Sequence, residues 1–125
     1  MNHTRHYTVE QANAALGWVR EQLDRLRSAE RAFVDDDARA ALAEAATTNG
    51  GGTPGRVVSE AFLDLNATAA DFQQMDIVVR DVGRGLVDFP ALREGREVYL
   101  CWEDGEDEVS HWHELDGGYG GRRKL

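Results

Sequence analysis

Along the first third of the chain, apolar residues recur at alternating four- and three-residue steps. Ala12, Leu16, Val19, Leu23, Leu26 and Phe33 carry the pattern, with Glu30 as its one polar interruption. That spacing lines them up on one narrow stripe of a helix, a coiled-coil-like seam. The segment Tyr7-Thr8-Val9-Glu10-Gln11 supplies the start, with Thr8 at the N-cap and Gln11 reaching back to it as a capping box. Arg20, Glu21, Asp24, Arg25 and Arg27 fill the opposite face, where Glu21 and Arg25 form an i,i+4 pair. Gly17 costs this helix about 1 kcal/mol relative to alanine. Asp35, Asp36 and Asp37, followed by the alanine-rich Ala38 to Ala46, predict either a third, short helix capped by an aspartate or a kinked continuation of the first. Thr47 to Gly55 (TTNGGGTPG) breaks the pattern and predicts a flexible, exposed loop. The rhythm then returns in Val58, Ala61, Leu65, Thr68, Phe72 and Met75, which predicts a second long helix over Arg56 to Met75. Two matching seams joined by a glycine-rich connection describe an antiparallel helical hairpin.

At Ile77 the period changes from helical to strand-like. Ile77-Val78-Val79 opens a first strand and Gly83-Arg84-Gly85 turns. Leu86 to Phe89 is a short strand that Pro90 is expected to end, since proline cannot donate to a ladder. Arg93-Glu94-Gly95-Arg96 turns again, Glu97 to Trp102 (EVYLCW) is a strand, Glu103 to Glu108 (EDGEDE) is an acidic loop, and Val109 to His113 returns. The predicted fold is α+β: the helical hairpin packs with a three- to four-stranded antiparallel β-meander. Neither flank of the glycine-rich loop could form a core alone, so residues 1–125 read as a single domain. Its helical part covers 8–76 with the loop at 47–55, its meander 77–116, and its Gly/Arg tail 117–125, which either stays flexible or folds back. His3 and His6 read as a disordered terminus without a role.

Composition narrows the function more than the fold. The 125 residues are 42% hydrophobic and 30% charged, with a formal net charge of -9 and a pI near 4.8. Such a surface argues against nucleic acid and anionic membranes as partners. One cysteine allows no intrachain disulfide. The opening residues lack the apolar core of a signal peptide, and no segment approaches the roughly 18 apolar residues of a membrane span. A cytoplasmic protein is the expectation.

The chemistry concentrates in Gly83 to Arg122. Pairing the last two strands symmetrically about the acidic loop sets Trp102 opposite Val109, Cys101 opposite Ser110, Leu100 opposite His111, Tyr99 opposite Trp112 and Val98 opposite His113. His111 and His113 then share a face, about 7 Å apart along the strand, and could reach one divalent ion with a carboxylate, Asp88 or Glu106, as oxygen ligand. The acids Glu97, Glu103, Asp104, Glu106, Asp107, Glu108, Glu114 and Asp116 surround the pair, and no Lys or Arg lies between Arg96 and Arg122. A one-residue slip would reverse these partnerships. Asp88 is either a buried structural acid or a site residue. Opposite Val98 it joins the histidine face, and opposite Tyr99 it leaves it. In this register both hairpin histidines face away from Cys101, which reads as core packing. Arg122 reads first as a structural salt bridge, with an anion contact as the alternative.

Gly85-Leu86-Val87-Asp88-Phe89-Pro90, Gly95 to Trp102 (GREVYLCW), Gly105-Glu106, Trp112-His113 and Gly120-Gly121-Arg122 resemble the DUF2203 family of prokaryotic proteins. Tyr7-Thr8 with Ala12-Asn13 is similar to that family's opening. The resemblance places Asp88, Glu106, His113 and Arg122 in family motifs, and His111 where tyrosine is expected. It departs at Gly17, where proline is expected, and at Asp76, where glycine is. It implies a family but no reaction. Two readings follow. The first is a non-catalytic binding domain whose helices drive homodimerisation and whose acidic sheet contacts a partner. The second is a protein binding a divalent metal such as zinc through His111 and His113 with Asp88 or Glu106, extending to a hydrolase.

Overall fold

The computed structural model describes residues 1–46 and 60–125. The loop expected at 47–55 and the first residues of the second expected helix, 56–59, lie outside the described residues. Helix α1 spans Val9–Ala46 and α2 spans Glu60–Gln74. The capping box forms as expected: Thr8 N donates to Gln11 Oε1, and Gln11 N donates to Thr8 Oγ1, both at 3.0 Å. The three aspartates at 35–37 neither start a new helix nor break the old one, so α1 is continuous for 38 residues and no third α-helix occurs among the described residues. Contacts of Trp18 with Phe72, Arg25 with Asp64, and Phe33 with Phe62 run in opposite senses along the two helices, so the hairpin is antiparallel. No helix among the described residues is long and apolar enough to cross a membrane.

Among the described residues, one antiparallel sheet of five strands follows in the order β1 (Val78–Asp81), β2 (Leu86–Arg93), β3 (Arg96–Glu103), β4 (His111–Glu114) and β5 (Arg123–Lys124). It is a meander, as the alternation predicted, but one strand longer. The Gly/Arg tail folds back rather than staying free: Tyr119–Gly121 make a 3₁₀ turn, Arg123 pairs with Trp112, and Leu125 N donates to Ser110 O at 3.0 Å. The β2–β3 hairpin closes through Glu94 and Gly95, both at positive φ (54° and 76°), a turn whose twist suits antiparallel strands.

Pro90 does not end β2, which runs on to Arg93. In an antiparallel strand a residue's N–H and C=O point to the same edge. The Pro90 carbonyl accepts Tyr7 N at 2.7 Å, so its missing N–H lies on that side, beyond the end of β1, and the ladder to β3 loses nothing.

One sheet face packs on α1. Val87, Phe89, Ala91, Val98, Leu100, Trp102 and Trp112 meet Ala12, Leu16, Val19, Leu23 and Leu26 in the main core. The predicted α1 stripe is buried as far as Leu26. Beyond Ala29, α1 leaves the sheet: Glu30 is exposed and Phe33 half-buried. The opposite sheet face carries the polar residues described next.

Candidate functional site

The symmetric register fails by one residue. Cys101 pairs with His111, Leu100 with Trp112, Tyr99 with His113 and Val98 with Glu114. The acidic loop is held by its own polar contacts rather than by ladder symmetry. Glu103 N donates to Glu106 Oε1 at 2.7 Å, and Trp102 Nε1 donates to the Glu106 carbonyl at 3.0 Å. Val109 N donates to Asn13 Oδ1 on α1 at 2.6 Å. With Val109 thus engaged by the helix, β4 starts only at His111, and every face assignment of the hairpin reverses relative to β3.

Cys101 therefore lies on the histidine face, not behind it. Asp88 pairs with Cys101, a position neither expected alternative named, and its side chain emerges on the same face. Asp88, Cys101 and His113, from three adjacent strands, are all buried, and one donor atom from each lies within 4.8 Å of the other two. His113 Nε2 stands 3.0 Å from Asp88 Oδ1, both side chains 2% exposed. His113 Nδ1 donates to the Glu114 carbonyl at 2.7 Å. Both ring nitrogens thus face oxygen atoms. Arg80 Nε completes the pair from outside, 2.9 Å from Asp88 Oδ2. Arg80 stacks over Tyr99 (5.0 Å), Tyr99 lies against His113 (5.5 Å between centroids), and the Tyr99 hydroxyl meets His3 Nε2 at 2.7 Å.

Burial, with the Asp88 charge beside it, pushes the Cys101 thiol up to about 12; Arg122 offsets only part of this. A thiol held neutral in this way is no nucleophile by itself. Metal binding would displace its proton to solvent and leave a thiolate ligand. A cavity of about 240 Å³ opens against all three donors, lined also by Arg80, Leu86, Leu115, Asp116 and Tyr119.

His111 and Glu106 are not part of that group. His111 Nδ1 lies 3.1 Å from Arg122 Nη2 and 3.6 Å from Glu106 Oε2, and Arg122 donates to both Glu106 oxygens at 2.7 and 2.9 Å. Arg122 makes the structural salt bridge that its first reading proposed. The surrounding acid is largely neutralised: Glu103 meets Arg84, Asp104 meets Arg27, and Glu114 meets Arg96. These arginines come from outside the 97–121 stretch, which is why a count along the sequence overstated the negative charge. Glu97 is held by the N-terminal segment, so that terminus is not disordered. His6 Nε2 lies 2.7 Å from Glu97 Oε2, Asn2 N donates to Glu97 Oε1, and His3 Nδ1 lies 3.2 Å from Asp76 Oδ1.

Sequence reasoning missed Cys101 as a donor and Arg80 altogether. Arg80 had a faint signal, standing two residues beyond Val78, the cross-strand partner of Asp88, on the same face. The motif residues Asp88 and His113 meet in one cluster, while Glu106 and Arg122 meet in another. A family model described as "Uncharacterized conserved protein (DUF2203)" matches residues 5–125. The chain belongs to the DUF2203 family. None of the curated proteins and none of the solved structures matches this DUF2203 chain.

Proposed function

We propose that this DUF2203 protein binds a divalent transition-metal ion through Asp88, Cys101 and His113. The observation that carries the reading is the convergence of three unlike donors, oxygen, sulfur and nitrogen, within 4.8 Å in a buried setting. A mixed set of this kind suits zinc better than the hard, oxygen-seeking ions. The His113 Nδ1 bond to Glu114 fixes the ring with Nε2 aimed at the site, as partners of metal-bound histidines do. Three protein ligands would leave one position open on a bound ion, and all three residues line the cavity. This is the ligand count of centres that activate water, so hydrolysis is the reaction class the site would serve. His111 and Glu106, the other expected ligands, have no place in this version.

The test is elemental analysis and zinc titration of tag-free protein. One equivalent of zinc is expected, with affinity reduced at least about tenfold in Cys101→Ser and His113→Gln and unchanged in His111→Gln. Protein that stays metal-free under excess zinc, or loses metal only in His111→Gln, would discard the reading.

A second reading, self-association through the helical hairpin, is favoured by one observation. Past the point where α1 leaves the sheet, Val34, Leu42 and Leu63 are 58%, 71% and 56% exposed. A second copy of this tip is the occupant that matching apolar seams fit.

A further inference from the structure

We infer that the open position of the Asp88–Cys101–His113 centre takes a small oxyanion, a carboxylate or a phosphate group, held by Arg80. This rests on the metal reading above and names what the site would bind. A divalent ion with one carboxylate and one thiolate is formally neutral, so Arg80 leaves the inner end of the cavity with a net charge of about +1. Asp116, the other carboxylate on the wall, is exposed and screened.

Arg80 is built for the task. Its Nε is committed to Asp88 Oδ2, which fixes the guanidinium plane, and Tyr99 supports that plane at 5.0 Å. The side chain is 43% exposed and lines the cavity, so the guanidinium keeps donor capacity beyond its bond to Asp88. A planar fork of this kind suits two-oxygen acceptors, as a lysine would not. The remaining walls, Leu86, Leu115 and Tyr119, are largely apolar and strengthen a charge contact made between them. At about 240 Å³ the cavity falls below the 300–1,000 Å³ or so of sites for drug-sized molecules, which restricts the guest to a small one.

The probe is Co²⁺, whose visible absorption reports coordination and whose near-ultraviolet thiolate band reports Cys101. The cobalt protein is titrated separately with acetate and with inorganic phosphate at constant ionic strength. A saturable change in the visible bands with at least one of them is expected, and the stronger arm identifies the kind of oxyanion. Arg80→Gln should bind one equivalent of Co²⁺, which shows that it is folded, while its affinity for the anion falls at least tenfold. Arg80→Lys, which keeps the charge but not the fork, should fall between the two. A cobalt spectrum that neither anion moves, or that moves equally in Arg80→Gln, would overturn the inference while leaving the metal site intact. If the cobalt spectrum never forms, the metal reading itself fails and takes this one with it.

Discussion

At the scale of single residues, burial decides what each titratable group can do. Cys101 sits under the sheet's polar face with its thiol raised to about 12, so at neutral pH almost none of it is thiolate. The native metal-free protein should therefore resist iodoacetamide at pH 8, and the urea-unfolded chain should be alkylated within minutes, as mass spectrometry would show. Rapid modification of the folded protein would mean that Cys101 is neither buried nor held neutral. Asp76 shows how a non-glycine residue is held at positive φ. It stands where glycine is expected, at φ 57°, a left-handed conformation that aspartate tolerates better than most residues. Its carboxylate then receives His3, Thr4 and Arg5, a role glycine could not fill.

At the scale of elements, the turns fix the hairpins and so decide which side chains meet. Gly85, between β1 and β2, has φ 67°, and a Cβ there would lie 2.5 Å from Asp104 Cβ and 2.7 Å from Arg27 Nη2. Its carbonyl also accepts Asp104 N at 3.1 Å, joining the first turn to the acidic loop. Gly85→Ala combines left-handed strain with a clash, and should cost about 1–3 kcal/mol. Urea unfolding should show a lower midpoint with an unchanged slope. A midpoint within error of the parent would show that the two loops are not packed together. By contrast, Gly95, with nothing near its absent Cβ, answers only for its own backbone angle.

At the scale of the whole molecule, the N-terminal segment straps the polar sheet face to the end of α2. The His3 hydrogen bond is the main cause that holds Asp76 below its ordinary 3.8, and the His6 hydrogen bond is the main cause that holds Glu97 below its ordinary 4.5. Carboxylates depressed in the folded state contribute stability above their unfolded values and lose it as pH falls through the folded ones. Thermal midpoints should thus be insensitive to these two groups above about pH 5 and fall more steeply than in Asp76→Asn/Glu97→Gln as pH drops toward 3. Parallel curves for the two proteins would exclude the strap as the cause. The exposed helical tip belongs to the same scale. If it self-associates, light scattering should report a dimer that Leu42→Glu/Leu63→Glu converts to monomer; a monomer at all concentrations in the parent would remove that reading.

Local spacing alone settles whatever depends on near neighbours along the chain. The capping box at Thr8 and Gln11, the apolar stripes, the Glu94–Gly95 turn and the alternation in EVYLCW rest on spacings of two to four residues, so the α+β class and the meander were legible. Asp88 and His113 stood out as well. Which residues would stand beside them was not legible. The β3–β4 register hangs on Asn13, 96 residues away from Val109, and on Glu106 turning back upon Glu103. Contacts of that kind leave no period in a sequence. A shift of one residue brings Cys101 to the histidines and moves His111 to Arg122, because on a pleated strand neighbouring residues face opposite ways and only the folded loop selects between them.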